Sequence, residues 1–335
     1  EIQASLSNAR RNRVLGDFSA TVLAELQSGN HLKNIRFQVE TGELILEELA
    51  ARIPREALQS VSGRLNAQLW GSWAPDQPLD IAGVVDLRDV DLPSGDRVLR
   101  LDHLNSRLNW RWQDKTKWRI DLADMRVEEN GRNWTTPSIA VERNLEGNLG
   151  VWVSADYLQA EFPLEVTQLF MRIFDKNWPR VAPTAGRGII RDFDLVIDRD
   201  IKLAATSGSF EDLEVLDWGQ WPLARGLKGR IDLAFGQGSL WVSGEDILFR
   251  WPRNFRTPLV ADLPECELEI LWTRQKDWQV DALNCGLRND DVEALARLRF
   301  DGDEGKPKVD INASIAAPDL ALLHDYWPRS VMSPA

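Results

Sequence analysis

Along much of the chain apolar and polar residues alternate one by one, the signature of a half-buried strand whose successive side chains point to opposite faces. Leu65, Ala67 and Leu69 alternate with Arg64, Asn66 and Gln68. Leu227, Gly229, Ile231, Leu233 and Phe235 alternate with Lys228, Arg230, Asp232 and Ala234. In the clearest run, Leu104, Ser106, Leu108, Trp110 and Trp112 are opposed to Asn105, Arg107, Asn109, Arg111 and Gln113. Turn-rich pieces, APDQP, LPSGD and DGDEGKP, separate such runs, as antiparallel hairpins require. The pattern predicts a mostly β chain.

Helical periodicity is confined to short stretches. Residues 43–58, ELILEELAARIPREAL, predict a short helix that Pro54 must end or restart, since proline lacks the amide donor. After Pro163, LEVTQLFMRIF places Leu164, Leu169 and Ile173 on one stripe before NWPRVAP terminates it. These stretches divide the chain into a first β module at 1–155, a helical insert or linker at 156–182 and a second β module at 183–335.

Shifted by 160 positions, the sequence matches itself: SRLNWRWQDKTKWRIDLADMRV aligns with CELEILWTRQKDWQVDALNCGL. Trp112 falls on Trp272, Trp118 on Trp278, Ile120 on Val280 and Asp121 on Asp281. Each copy reads as a hairpin with a polar tip flanked by tryptophans. A repeat of this kind predicts an elongated sheet that grows by adding modules rather than one closed barrel. Both copies also switch parity at one place: Trp118, Ile120 and Leu122 give way to Ala123, Met125 and Val127, and Trp278, Val280 and Ala282 to Leu283, Cys285 and Leu287. One extra residue in a strand produces such a switch, so a β-bulge is expected in each. The register then sets Cys266 opposite Cys285, which allows either a cross-strand disulfide or two buried thiols. The corresponding pair in the first copy is Ser106 and Met125, so the repeat does not depend on a bridge.

Composition narrows what such a sheet does. The 335 residues are 43% hydrophobic, enough to build one large or two medium folded units and to exclude disorder as the main state. With 52 acidic against 40 basic residues, the net charge of -12 opposes a generic phosphate-backbone surface, and nucleic acid is not expected as a partner. No apolar run is long enough for a membrane helix, and EIQASLSNARRNR lacks the apolar core of a signal peptide. The start at Glu1 rather than Met leads us to expect a segment of a longer protein. Fifteen tryptophans stand beside only two tyrosines, a skew that places large flat side chains repeatedly in strand contexts and in Trp-Pro pairs such as Trp178-Pro179 and Trp251-Pro252.

Candidate chemistry is sparse. The histidines (His31, His103, His324) and cysteines (Cys266, Cys285) are too scattered for a zinc framework. Asp192, Asp194 and Asp198 share strand parity but read as a solvated strand face, since the glycine and distal glutamate of a calcium loop are missing. Gly186-Arg187-Gly188 is too short for a dinucleotide loop, and Asn133 and Asn312 head glycosylation-type triplets that carry no information. Asp102-His103 and His324-Asp325 resemble pieces of a catalytic dyad, but neighbours on a strand point oppositely and no nucleophile elbow accompanies them. No metal, no cofactor and no enzymatic activity are expected.

Four stretches together resemble the YhdP proteins of the AsmA-like superfamily, large envelope proteins of Gram-negative bacteria. They are RIPREALQSVSGRLNAQLWGSW at 52–73, LFMRIFDKNWPRVAPTAGRGIIRDFDLVI at 169–197, the run from LARGLKGRIDLAF to ECELEILW within 223–272, and the closing LHDYWP. The resemblance implies a bridge-like lipid transporter: a long, curved, twisted antiparallel sheet with short helical inserts, whose concave face forms an open hydrophobic groove across the periplasm, in a protein anchored in the inner membrane. Phospholipid acyl chains would be its ligands, and the inner and outer membranes its partners through other parts of the protein. On that reading the groove-lining candidates are Leu104, Leu108, Trp110, Trp112, Trp118 and Ile120 in the first copy, and Leu268, Ile270, Trp272, Trp278 and Val280 in the second. From the residues alone the same side chains could fill a sandwich core, and the alternative reading is a structural or interaction β-module of the cell envelope that binds a protein or polymer.

Overall fold

A computed structural model describes residues 2–3, 18–27, 31–50, 61–94, 97–129, 131–145, 149–160, 185–199, 203–216, 223–250, 257–272, 278–302 and 308–319. Contacts divide these residues into two compact units. The first holds the residues up to Tyr157 together with 196–199, and the second holds 158–160, 185–195 and those from Leu203 onward. The described residues are almost entirely strand. In the first unit the strands are β1 (Ile2–Gln3), β2 (Phe18–Gln27), β3 (His31–Ile45), β4 (Ser62–Trp73), β5 (Leu79–Ser94), β6 (Arg97–Trp112), β7 (Lys117–Glu129), β8 (Arg132–Asn144) and β9 (Leu149–Gln159). They form an antiparallel meander in chain order. The second unit is built in the same way from β10 (Ala185–Asp198, its last residues counted with the first unit), β11 (Leu203–Val215), β12 (Leu223–Ala234), β13 (Gln237–Arg250), β14 (Leu259–Trp272), β15 (Trp278–Arg288), β16 (Glu293–Gly302) and β17 (Lys308–Ala316).

The first predicted helix starts later than the sequence suggests. Strand β3 runs through Ile45, so the first predicted helix begins at Leu46 rather than Glu43, and its described part is α1 (Leu46–Ala50). The remainder of that stretch, the helical reading at 164–174 and the Trp-Pro pairs lie outside the described residues. Residues 156–159, assigned to the insert from sequence, continue β9.

Within each unit the ladder register sorts side chains cleanly between two faces. In the first unit Leu65, Ala67 and Leu69 stand opposite Leu87, Val85 and Gly83, which in turn stand opposite Leu104, Ser106 and Leu108. Across the next two steps Leu108, Trp110 and Trp112 meet Leu122, Ile120 and Trp118, and these meet Ile139, Val141 and Arg143. In the second unit Leu233, Ile231 and Gly229 meet Gly238, Leu240 and Val242, which meet Ile270, Leu268 and Cys266. Apolar residues thus gather on one face because the side-chain period is two and each partner strand keeps the same phase. Phe235 departs from the predicted alternation. It sits in the turn after β12 at φ 51° and is 84% exposed, because the hairpin reverses there.

Bulges interrupt both meanders. The switch expected near Ala123 is present: Asp124 takes φ 50° and the β6–β7 register shifts between Asn105 and Arg107. In the second copy the β15–β16 register shifts between Ala282 and Cys285. Asp89, Asp192, Asp212 and Asp246 also take φ values of 49° or 50°. Aspartate tolerates this left-handed conformation better than most side chains, since its short carboxylate can bond locally. At Asp192 it breaks the alternation with Asp194 that the sequence implied. The Cα atoms of Cys266 and Cys285 lie 4.2 Å apart and their sulfurs are bonded, tying β14 to β15 beside the bulge. At the corresponding place in the first unit, the single hydroxyl proton of fully buried Ser106 is shared between the carbonyls of Ala123 (3.0 Å) and Arg107 (3.1 Å).

The largest fully buried side chains of the first unit are Val90, Leu101, Ser106, Met125, Val127 and Thr136. Val90 pairs with Leu101, and Met125 with Thr136, so this core lies where the bulges have turned the apolar phase. In the second unit Gly229 stands between Phe210 and Val242, and a Cβ there would lie 2.0 Å from the Trp241 carbonyl and 2.7 Å from the Phe210 ring. Gly229→Val is therefore expected to destabilise the unit by about 1–3 kcal/mol or more through overpacking. Urea unfolding measures this, and an unchanged midpoint would mean the strands can separate there at no cost.

Candidate functional site

The candidate site is the apolar face itself. All the first-copy candidates, Leu104, Leu108, Trp110, Trp112, Trp118 and Ile120, fall on one face of β6 and β7, with Trp110 opposite Ile120 and Trp112 opposite Trp118. They are not equally accessible. Leu104 and Trp118 are buried, the latter to 4% exposure, whereas Leu108, Trp110 and Ile120 are half-buried and Trp112 is 39% exposed. The strands of this unit form a single ladder. Along β6 the face therefore runs from buried Leu104 and Ser106 to the more accessible Leu108, Trp110 and Trp112 toward the 113–116 turn, while on β7 Trp118 beside that turn is buried. At the accessible end, the indole Nε1 of Trp110 is shielded from solvent and has no hydrogen-bond partner.

In the second unit Leu268, Ile270 and Val280 lie on one face, with Ile270 opposite Val280 and Leu268 opposite Ala282. The backbone register pairs Trp272 with Trp278 at the end of the same ladder, matching Trp112 and Trp118. Sequence reasoning stopped at two strands per copy. The registers extend the face in the first unit to Ile81, Val85 and Leu87 on β5 and to Ile139, Val141 and Val153 on β8 and β9. Those residues carry the same alternation and were legible in principle, but without a tryptophan repeat to mark them.

The opposite face is polar and laced by ion pairs. Arg111 meets Asp80 at 2.9 Å, Arg100 meets Asp91 at 2.9 Å, and Arg107 pairs with Asp124. Arg119 contacts Asp121 (2.7 Å) and Glu142 (3.4 Å) and lies 5.1 Å from the centre of a Trp152 ring. Exposed pairs of this kind contribute about 0–1 kcal/mol each, so this face supplies solubility and register more than stability. His103 bonds not to its sequence neighbour Asp102 but across the ladder to Asp86, Nε2 to Oδ2 at 2.7 Å, and Arg88 holds the other oxygen at 2.8 Å. The second histidine-aspartate pair, His324-Asp325, lies outside the described residues. Among the described residues no group of three or more metal-ligating side chains comes together.

Burial, the largest single influence on Asp86, pushes its carboxyl up, but the hydrogen bonds and charges of His103 and Arg88 together hold it below the ordinary carboxylate value. A carboxyl depressed in the folded state stabilises the fold above its unfolded pKa, and that contribution is lost as the pH falls through the folded value. Asp86→Asn should thus cost most at neutral pH, and the gap from the parent should shrink once the pH drops below about 4. Urea unfolding at neutral and acid pH checks this. An equal gap at both would remove Asp86 ionisation from the account.

The model of the family described as YhdP protein matches residues 2–335. No curated protein matches the chain, and neither does a solved structure.

Proposed function

The chain belongs to the YhdP family, and on that premise we propose that it is a periplasmic stretch of a hydrophobic β-groove along which phospholipids pass between the inner and outer membranes. YhdP proteins are cell-envelope proteins of the bridge-like, AsmA-like lipid transport type. The observation that carries the finer reading is the apolar face of the first unit, continuous from strand to strand and still accessible at Leu108, Trp110 and Trp112. Each methylene kept out of water on such a face lowers the free energy by about 0.8 kcal/mol, which is large over a whole acyl tail. Passage also requires that no step bind too tightly, and a run of Leu, Ile, Val and Trp offers similar contacts from one position to the next.

The roles divide by accessibility. Leu108, Trp110, Trp112 and Ile120, with Leu268, Ile270 and Val280, touch the acyl chain, and Trp272 and Trp278 join them by register. Leu104 and Trp118 form the packed floor beneath it. No bond is made or broken in this process, and the proposal gives no residue a catalytic role. Among the described residues no helix is long and apolar enough to cross a membrane, and the proposal places contact with either membrane outside these strands.

The test is a photoreactive side chain at Trp112 or Trp272 of the full-length protein in its envelope, followed by mass analysis of the adduct. Crosslinked phospholipid is the expected product at both. Adducts to protein alone, with no lipid at either position, would favour an interaction module and overturn the transport reading.

A further inference from the structure

A cation interrupts the apolar face. Arg143, near the end of β8, stands opposite Trp118 of β7 on one side and Val151 of β9 on the other. Val141 and Ile139 precede it on the same face, opposite Ile120 and Leu122. Its chain neighbour Glu142 points to the polar face and is engaged by Arg119 at 3.4 Å. Arg143 itself is half-buried, and its Nε is shielded from solvent with no hydrogen-bond partner. No ion pair among the described residues includes it. A guanidinium carries a permanent charge and donates only, and leaving such a donor shielded and unmatched is costly. Nothing about the sheet requires it: at the matching step of the second unit Trp278 faces Gly302.

The row to which Arg143 belongs is the rim of the face. Leu79, Trp112, Trp118, Arg143 and Val151 follow one another across five strands. Tryptophan beside arginine at the border of an apolar surface suits a molecule with a hydrocarbon body and an anionic head. A planar guanidinium matches a phosphate through two parallel charge-assisted hydrogen bonds, which a carrier meant only for alkyl chains would not need. We propose that Arg143 binds the phosphodiester of a phospholipid whose acyl chain lies over Leu108 and Ile120, so that the first unit selects for a phosphate-bearing headgroup. This rests on the groove reading and adds a headgroup contact to it.

The experiment uses the purified chain, its Arg143→Gln and Arg143→Lys forms, and vesicles of digalactosyl diacylglycerol, a carrier without phosphate. The vesicles contain a trace of photoactivatable phosphatidylglycerol or of photoactivatable diacylglycerol with identical chains. The parent should capture phosphatidylglycerol about tenfold better than diacylglycerol, the margin that one charge-assisted contact provides. Arg143→Gln should lose that preference while capturing diacylglycerol as the parent does, which also reports that the variant is folded, and Arg143→Lys should keep part of it. Excess inorganic phosphate should leave capture unchanged. Equal capture of both probes by parent and Arg143→Gln overturns the headgroup contact and leaves the groove standing. Competition by inorganic phosphate that abolishes the preference reassigns Arg143 to free phosphate and overturns the proposal. Capture of neither probe by the parent sinks the groove reading itself, and this inference with it.

Discussion

Leu108→Glu should leave the chain folded and reduce lipid capture at Trp112 on the order of tenfold or more, because about 1.4 kcal/mol already accounts for a factor of ten. Leu108 is half-buried, between Gly83 on β5 and Leu122 on β7, so a glutamate there can reach water when the groove is empty. With an acyl chain over it the same carboxylate is desolvated without a partner, a cost well beyond one methylene's contribution. The effect should therefore fall on lipid capture far more than on the unfolding midpoint. Crosslinking from Trp112 in parent and variant measures it, and equal yields would mean that no hydrocarbon passes over Leu108.

The packed end of the same face should respond in the opposite way. Met125 is 1% exposed and faces Thr136 across the β7–β8 ladder, immediately after the bulge at Asp124. Met125→Ala should cost about 2–5 kcal/mol, the range for emptying a fully buried site. Leu108→Ala, made on the accessible stretch, should cost distinctly less. Urea unfolding of the two variants compares them directly. Equal losses would show that the accessible and packed ends are one continuous core, which is the sandwich alternative in energetic form.

These contrasts trace to features that differ in how plainly the sequence displays them. Strand alternation and the bulge were readable, because an apolar phase that slips by one residue, as from Leu122 to Met125, has few other causes. Alternation misleads at its ends. It ran on to Phe235, where the chain had already turned, and the first three residues of the helix-like stretch, from Glu43 to Ile45, yielded to strand pairing, since Leu44 and Ile45 complete the ladder with Leu65 and Arg64. Partners across the ladder were out of reach: nothing near His103 in sequence points to Asp86, and Asp102 was the misleading neighbour. Arg143 was hidden for a related reason. One charged residue on an apolar parity reads as the end of a strand until the register sets it between Trp118 and Val151.

The most direct test of the open apolar face is a parity scan along β6. Photoreactive side chains placed one at a time from Arg107 to Trp112 in the full-length protein should capture phospholipid at 108, 110 and 112 and not at 107, 109 and 111, since the two sets face opposite sides of the ladder. Capture that ignores parity, or that is absent at all six positions, would contradict a lipid path along this face.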